Sequence, residues 1–336
     1  MTIKVGVNGF GRIGRDVVRG ISLRKDLPFE LVALNASGDW EVMAHLFRYD
    51  TIYRKYPGEI SVTEEGFNID GKAIKITDQR NPEEIPWEEM GVELVIDTTG
   101  AFKDREGANK HFKAGAKKVI VSAPTKGEDI TIVMGVNDHL YDPDNHHFIS
   151  NASCTTNCLA PITKVILDEF GIERGLMTTV HAYTNDQNIH DAKHKKDLRR
   201  ARAAAENIIP TSTGAAQAVA KVLPELEGKL TGYALRVPVP TGSVVDVTLE
   251  LSKKASVEEI NAAMQKAAQG PMKGVLAYTE DPIVSADIIG DSHSSIYDAQ
   301  LTLVQDNMCK LVSWYDNEWG YSQRVIDLAA KVAKSM

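Results

Sequence analysis

The stretch that decides the fold is Asn8-Gly-Phe-Gly-Arg-Ile-Gly-Arg15, close to the start of the chain. It contains the spacing Gly-x-Gly-x-x-Gly. An apolar run at residues 3–8 leads into it and predicts a buried strand, while residues 12–24 carry the apolar period of a helix. A glycine-rich turn that follows a strand and opens a helix is typical of a dinucleotide-binding site.

Each glycine of the motif has its own structural role. Gly9 permits the tight turn, Gly11 lets the backbone approach a pyrophosphate, and Gly14 allows the helix to pack closely on the strand. The helix N-terminus then offers free N–H groups and a positive dipole to phosphates. The alternative is a tight strand-to-helix turn that binds nothing.

The first half of the chain repeats this alternation of strand and helix. Because alternating strands and helices form parallel sheets with right-handed crossovers, we predict an α/β fold with a doubly wound Rossmann domain. The predicted strands are residues 3–8, 31–34, 92–98 and 118–122, and the predicted helices are residues 12–24, 41–49 and 105–114.

Beyond residue 150 the pattern changes to longer β-rich runs, which predict an α+β catalytic domain with an antiparallel sheet. We place the dinucleotide-binding domain at residues 1–152 and the catalytic domain at 153–317, with a C-terminal helix in 318–336 packing back on the first domain. Predicted strands are residues 176–183, 230–240, 243–252, 295–303 and 310–315, and predicted helices are residues 153–170, 198–206, 214–222, 257–268 and 320–334.

The composition of the chain is that of a globular protein. The chain has 336 residues, 43% hydrophobic and 25% charged, which is ordinary for two globular domains. A net charge of −8 gives no general attraction to nucleic acid or anionic membranes, and no apolar run is long enough to span a bilayer. Three cysteines and the absence of a signal-peptide pattern predict a cytoplasmic protein, and no Cys/His spacing predicts a metal.

The end of the second predicted strand bears on the choice of dinucleotide. An acidic residue is expected there to bind the adenosine ribose, but the chain has Ala36 followed by Ser37. Without a carboxylate nothing repels a 2′-phosphate, and Ser37 could donate a hydrogen bond to it. The sequence therefore favours NADP, or NAD if Asp39 or Glu41 takes the acidic role.

A candidate nucleophile lies where the predicted helix 153–170 begins. Cys154 follows Ser153 and precedes Thr155, and a thiol at a helix N-terminus is biased toward the reactive thiolate. The alternative is a buried structural cysteine, which the polar neighbours disfavour. His181, at the end of a predicted strand, is the candidate base, although it could simply end that strand.

Five long motifs in one order resemble the phosphorylating glyceraldehyde-3-phosphate dehydrogenase family over nearly the whole chain. They are residues 8–15, Ser150-Asn-Ala-Ser-Cys-Thr-Thr-Asn157, Leu198-Arg-Arg-Ala-Arg-Ala-Ala-Ala205, Pro210-Thr-Ser-Thr-Gly214 and Trp314-Tyr-Asp-Asn-Glu-Trp-Gly-Tyr-Ser322. The resemblance implies a homotetramer that oxidises glyceraldehyde 3-phosphate with inorganic phosphate and NAD or NADP.

The resemblance also assigns residues. It makes Cys154 the nucleophile and His181 its base. The residues that the resemblance assigns to cofactor binding are Gly9, Gly11, Arg12, Ile13, Gly14, Ala36, Ser37, Arg80, Ser122, Asn185, Asn317 and Tyr321. The resemblance assigns Thr184 and Arg236 to the phosphate of the substrate. A second set binds the attacking inorganic phosphate, or the substrate phosphate in another step: Ser153, Thr155, Arg200, Thr213 and Gly214.

Two departures resemble members that use NADP. Ala36 stands where NAD-specific members usually have aspartate, and Ala192-Lys193 replaces a usual Leu-Pro pair, with one residue added. Lys193, Lys195 and Lys196 add positive charge to that loop. The open alternatives for function are an erythrose-4-phosphate dehydrogenase and a non-catalytic dinucleotide-binding protein.

Overall fold

The computed structural model describes residues 2–195 and 197–336. These form two compact units: the first contains the chain up to Ile132, His139–Ala152 and Ser322–Met336, and the second contains Val133–Asp138 and Ser153–Tyr321. Lys196, one of the lysines in the loop singled out above, lies outside the described residues.

The first unit is built on one nine-stranded sheet in the order β10-β11-β9-β8-β1-β2-β7-β6-β5. Neighbours from β10 to β7 are parallel, as the alternation of strands and helices predicts. The elements are β1 (Ile3–Asn8), α1 (Arg12–Leu23), β2 (Phe29–Asn35), α2 (Trp40–Arg48), β3 (Tyr49–Asp50), β4 (Arg54–Lys55), β5 (Ile60–Val62), β6 (Gly66–Ile69), β7 (Lys72–Thr77), β8 (Leu94–Asp97), α3 (Arg105–Lys113), β9 (Lys118–Val121), β10 (Ile130–Thr131) and β11 (Phe148–Ser150).

The sequence reading missed the antiparallel edge formed by β5, β6 and β7. Its turn contains Asp70 at φ 51° and Gly71 at φ 83°, which is the backbone conformation that Asp-Gly favours in a two-residue hairpin. The alternation in Phe67-Asn-Ile69 and Ala73-Ile-Lys75 is also that of half-buried strands. The signal was present, but the strands are only three to six residues long.

The second unit contains a sheet in the order β13-β14-β12-β15-β19-β17-β16, with β18 paired to β19. Most pairs are antiparallel, but β12 with β14 and β16 with β17 are parallel, so the sheet is mixed rather than purely antiparallel. The elements are α4 (Cys154–Phe170), β12 (Ile172–Ala182), β13 (Ile209–Ser212), α5 (Ala215–Val219), β14 (Leu230–Val237), β15 (Ser243–Leu251), α6 (Val257–Gln269), β16 (Leu276–Thr279), β17 (Ser295–Asp298), β18 (Leu303–Gln305) and β19 (Met308–Tyr315).

The core of the second unit explains the position of α4. Leu159, Ile162 and Ile166 have no exposed surface, and α4 packs on β15, β17 and β19. Strand β15 buries alternate residues, which is the pattern of a sheet with one face against a helical layer. The N-terminus of α4 is thereby fixed by apolar burial along the rest of the helix.

The predicted helix at residues 198–206 is wrong. Residues 198–202 form turns, and only Ala204–Glu206 makes a short 3₁₀ turn. The alanine-rich composition suggested a helix, but the arginines bind acidic groups elsewhere: Arg200 pairs with Asp186 and Arg202 with Asp191. Composition alone therefore did not predict the conformation of this segment.

A final helix, α7 (Trp319–Ala333), completes the chain. Its segment from Ser322 onward groups with the first unit, where Asp327 Oδ1 accepts a 2.6 Å hydrogen bond from Arg24 Nη1. Among the helices of the described residues, none has both the length and the apolar character that crossing a bilayer requires.

Candidate active site and dinucleotide cleft

The glycine-rich turn has the geometry that close approach of a phosphate requires. Gly9 has φ 100°, and a Cβ on Gly14 would lie 2.3 Å from the carbonyl oxygen of Gly9. A Cβ on Gly11 would meet nothing, because this glycine faces open space. Helix α1 begins at Arg12 with no side-chain cap and no acidic residue in its first turn. Its N-terminal N–H groups therefore fit a pyrophosphate.

A polar network under this turn fixes the carboxyl ends of three strands. Asn8 Nδ2 donates to Asp97 Oδ2 over 2.8 Å, and Asn35 Nδ2 donates to Asn8 Oδ1 over 2.8 Å. Asp97 also receives the hydroxyl of Thr99 at 2.7 Å and contacts His111 Nε2 at 3.1 Å. These buried bonds join β1, β2 and β8 and make the floor of the turn rigid.

A cleft of about 570 Å³ opens beside the turn and contains the residues expected at the adenosine end. Ala36 is buried, and exposed Arg80 lines the cleft. The Ser37 hydroxyl donates to the carboxylate of Asp78, which the sequence reading did not identify. Asp39 caps α2 by accepting two backbone N–H groups of its first turn.

The other predicted cofactor residues of the first unit are Arg12, Ile13 and Ser122. The Arg12 guanidinium pairs with Asp50 and lies 5.7 Å from the centre of the Tyr53 ring. Its side chain is thus directed to Asp50, which leaves the backbone N–H groups of Arg12 and Ile13 at the start of α1. Ser122 is half-buried, and its N–H donates to the Asp97 carbonyl over 2.9 Å.

In the second unit, Cys154 is the first residue of α4. Ser153 caps this helix, since its Oγ accepts from Thr156 N at 3.1 Å. The Cys154 Sγ lies 3.5 Å from His181 Nε2. A thiol and an imidazole at hydrogen-bond distance form the nucleophile and base pair that cysteine chemistry requires.

The direction of the thiol pKa differs from the sequence expectation. Removal of water around the thiol raises the pKa of Cys154, and this outweighs the opposing charge of Arg236 and the hydrogen bonds from Thr155. Burial therefore opposes the bias toward thiolate that a helix N-terminus gives. Cys154 needs an acceptor for its proton, and the nearest one is His181.

His181 is the next-to-last residue of β12 and is buried. Its Nδ1 lies 2.7 Å from the Ala182 carbonyl oxygen and 2.7 Å from Arg236 Nη1. Burial, and then the positive charge of Arg236, lower the pKa of His181 to about 3. The imidazole is therefore neutral at neutral pH and able to accept a proton on one nitrogen.

A buried hydroxyl chain supports this pair. Tyr315 Oη contacts Thr155 Oγ1 at 2.9 Å and Thr179 Oγ1 at 2.8 Å, and its ring lies edge-on to His181. The Thr155 hydroxyl is thus held inside the fold. The sequence analysis did not identify Tyr315, although it ends β19 two residues before the predicted cofactor residue Asn317.

The other cysteine of α4 is structural. Cys158 is fully buried, its Sγ lies 3.6 Å from the Ser313 carbonyl oxygen, and burial raises its pKa to about 12. In the described residues no three His, Cys, Asp or Glu side chains are grouped so as to hold a metal ion.

Arg200, one of the two predicted anion-binding arginines, pairs with Asp186, an acidic residue that the sequence analysis did not identify. Arg200 Nη1 donates to Asp186 Oδ2 over 2.5 Å, and the Thr184 hydroxyl donates to the same carboxylate. Burial would raise the pKa of Asp186, but the bond from Thr184 and the charges of Arg236 and Arg200 lower it. Its position two residues after Thr184 was the only signal in the sequence.

The last predicted residues lie in the second unit. Thr213 Oγ1 accepts from Ala215 N at 3.2 Å, and exposed Gly214 precedes α5. Asn317 is buried, and its Oδ1 accepts from Ser243 Oγ at 2.9 Å, which leaves its Nδ2 as a donor. Asn185 is exposed and Tyr321 is buried.

Comparison with known proteins assigns the family. Residues 3–105 match the model described as glyceraldehyde 3-phosphate dehydrogenase, NAD binding domain, and residues 153–317 match that family's C-terminal domain. The glyceraldehyde-3-phosphate dehydrogenase of Streptomyces coelicolor is 58% identical over 100% of both chains. The protein of that name from Geobacillus stearothermophilus is 58% identical over 99% of both, and glyceraldehyde-3-phosphate dehydrogenase 1 of Bacillus subtilis is 56% identical over 99% of both. With both domain models matched and such identity over its full length, the chain belongs to the glyceraldehyde 3-phosphate dehydrogenase family.

Proposed function

We propose that this chain oxidises D-glyceraldehyde 3-phosphate with inorganic phosphate to 1,3-bisphosphoglycerate, with NAD or NADP as cofactor. The observation that carries the proposal is the pair formed by Cys154 Sγ and His181 Nε2, 3.5 Å apart at the N-terminus of a buried helix. Oxidation of an aldehyde through a thioester needs a nucleophile and a base in this relation.

The residues of the chain account for the proton steps. Cys154 adds to the aldehyde carbon as its proton passes to His181, and His181 returns that proton to the former carbonyl oxygen, which gives a hemithioacetal. His181 then takes the hydroxyl proton while the carbon is oxidised to a thioester. NAD or NADP, when bound, supplies the hydride acceptor for this oxidation. Phosphate attack on the thioester releases the product and frees Cys154.

Two anions must be bound, the phosphate of the substrate and the attacking phosphate. We assign Arg236 and Thr184 to the first, and Arg200 with the polar groups of Ser153, Thr155, Thr213 and Gly214 to the second. Arginine suits both positions because its guanidinium keeps its charge and binds oxyanions through paired donors. Asp186 accepts hydrogen bonds from both Arg200 and Thr184 and so orients these two side chains.

The test is a set of steady-state rates with each cofactor, with and without inorganic phosphate. We expect turnover of glyceraldehyde 3-phosphate to depend on inorganic phosphate, because the attack that releases the product from the Cys154 thioester consumes phosphate. D-Erythrose 4-phosphate is the control substrate. Phosphate-independent turnover with a preference for that longer sugar would contradict the proposal.

Replacing Arg236 with leucine should mainly weaken the use of the phosphorylated substrate. Loss of a charge-assisted contact predicts that kcat/KM for glyceraldehyde 3-phosphate falls about ten- to a hundredfold. Unphosphorylated glyceraldehyde has no group for this site, so its kcat/KM should not fall. An equal loss with both aldehydes would mean that Arg236 only maintains the fold.

For the cofactor we propose dual use with a preference for NADP. Ala36 leaves the end of β2 without a carboxylate, and Ser37 offers a hydroxyl at the same place. Lys193 and Lys195 are exposed and add positive charge to their loop. Asp78 opposes this preference, because its carboxylate accepts the hydrogen bond that the Ser37 hydroxyl would otherwise donate to a 2′-phosphate.

Ala36→Asp should reverse the preference. A carboxylate beside a 2′-phosphate repels it and binds the ribose hydroxyls of NAD instead, so the NADP/NAD ratio of kcat/KM should fall by about tenfold or more. The matched variant Asp78→Asn removes the carboxylate that accepts the Ser37 hydroxyl and should raise that ratio. A wild type selective for NAD and unchanged by Ala36→Asp would show that position 36 does not face the ribose.

We further propose a cytoplasmic homotetramer in which the first unit binds the dinucleotide and the second carries out catalysis. The second unit leaves large apolar side chains exposed, including Ile189 at 82% and Leu198 at 87%, as an interface with another copy requires. All three cysteines are free thiols, which suits a reducing compartment. Light scattering should give four times the chain mass; a monomer would contradict the assembly.

A further inference from the structure

A chain of buried hydrogen bonds lies within the first unit, behind the glycine-rich turn. Trp87, His111 and Asp97 have no exposed surface. The indole Nε1 of Trp87 lies 3.1 Å from His111 Nδ1, and His111 Nε2 lies 3.1 Å from Asp97 Oδ2. An indole N–H can only donate, so His111 Nδ1 must be the acceptor. The ring proton of His111 is therefore on Nε2, which donates it to the carboxylate of Asp97.

The position of the indole is set by packing. Trp87 belongs to a core cluster with Val92, Val95 and Ala108. A Cβ on Gly6 in β1 would lie 2.5 Å from the Trp87 ring, so the indole lies directly against the backbone of that strand. A close-packed ring of this kind has little freedom to move. His111, in α3, thus receives a donor whose position is fixed by the core.

Each carboxylate oxygen of Asp97 accepts two hydrogen bonds. Oδ2 accepts from His111 Nε2 at 3.1 Å and from Asn8 Nδ2 at 2.8 Å. Oδ1 accepts from the backbone N of Thr99 at 2.9 Å and from its hydroxyl at 2.7 Å. A buried carboxylate is costly unless donors surround it, and the bonds of such a network strengthen one another. Loss of the His111 donor should therefore disturb the Thr99 side of the same carboxylate.

The Thr99 side of this network forms one wall of the dinucleotide cleft. Thr99, Ala101 and Phe102 line the cleft together with the glycine-rich turn. The Thr99 hydroxyl, which donates to Asp97, accepts from Ala101 N at 3.1 Å. The Phe102 ring lies edge-on to the His111 ring, with their centres 6.2 Å apart. His111 therefore supports this wall, residues 99–102, both through Asp97 and by direct contact.

We propose that Trp87 and His111 are positioning residues for dinucleotide binding, because they hold Asp97 and with it the wall at residues 99–102. Neither residue is among those that line the cleft, so each acts on the cofactor through other residues. The inference rests on the proposed function, in that this cleft binds the dinucleotide. NAD and NADP share every group except the 2′-phosphate, so the affinity for both should depend on these two residues.

Calorimetric titration of NAD and of NADP into the full-length protein tests the proposal. His111→Leu removes the donor to Asp97, so the Kd of both dinucleotides should rise about tenfold, as loss of a hydrogen bond to a charged group predicts. His111→Gln keeps one donor and one acceptor and should stay within about threefold of the wild type. Trp87→Phe removes a bond between uncharged groups and should raise both Kd values about two- to fivefold.

Tyr297→Phe is the control, since it removes a buried hydroxyl from a polar network of the second unit. Tyr297 Oη donates to Asn261 Oδ1 over 3.1 Å. This variant should lower the melting temperature and leave both Kd values unchanged. In His111→Leu, kcat at saturating dinucleotide and KM for glyceraldehyde 3-phosphate should equal those of the wild type. A purely structural role would lower the melting temperature without this split between cofactor and substrate.

Thr99→Val is an independent test at an exposed position. It removes the hydroxyl that donates to Asp97 and should raise both Kd values several-fold. His111→Leu should add less in that background than it does alone, because both changes act on the same carboxylate. Unchanged Kd values in folded His111→Leu, or in Thr99→Val if His111→Leu does not fold, would overturn the proposal. A wild type that binds neither dinucleotide would contradict the proposed function itself, which is a separate outcome.

Discussion

Replacing Cys154 with serine will abolish dehydrogenase turnover while the fold and dinucleotide binding persist. Cys154 Sγ lies 3.5 Å from His181 Nε2, so a thiol and a base meet at this position. A hydroxyl is a much weaker nucleophile at neutral pH than an activated thiol. The substitution changes one atom at a half-buried position, so packing along α4 is preserved.

Turnover with both cofactors, a melting temperature and a cofactor titration are the measurements. Cys309→Ser is the matched control, because it makes the same chemical change in β19, at a thiol outside the proposed site. It should retain turnover. Retention of even roughly a tenth of wild-type turnover by Cys154→Ser would reject the nucleophile, since losing an activated nucleophile costs far more.

The sequence predicts the first unit well because its elements are locally determined. Fully buried Val5 and Val7 in β1, the glycine turn and α1 lie within some twenty residues of one another, and the turn geometry depends on those same glycines. The hairpin at Asp70-Gly71 was equally local and was overlooked. The mixed pairing of the second sheet depends on long-range contacts, such as β12 with β14, which no local pattern specifies.

In the candidate site, too, some residues are identified by their local sequence and others only by contacts between distant segments. Residue type and local setting single out Cys154 and, less sharply, His181, whereas the partners of the arginines depend on where distant segments fold. The structure brings Asp186 to Arg200 across 14 positions, and Tyr315 to Thr155 across 160 positions. Spacing could not supply those contacts, so the wrong helix at 198–206 and the missed Asp186 have one cause.

Replacing His181 with asparagine should slow the chemical step by about 10²–10⁴, the usual contribution of a positioned general base. Asparagine keeps a polar side chain at the end of β12 but has no group that accepts a proton at neutral pH. His139→Asn, at an exposed histidine, is the matched control and should leave the step unchanged. A rapid-mixing burst with glyceraldehyde 3-phosphate measures the step directly.

The His181→Asn variant also tests how the Cys154 thiol is activated. Loss of water already raises the pKa of Cys154 above its usual value, so its thiolate grows only as pH rises beyond the ordinary thiol range, unless His181 takes the proton. Without His181, the curve of alkylation rate against pH should move further toward alkaline pH, with the largest loss of rate near neutrality. A curve that stays in place would show that His181 does not act on the thiol. A slow burst would then reflect only the later transfer of the hemithioacetal hydroxyl proton, and the two measurements together assign His181 to one proton step or to both.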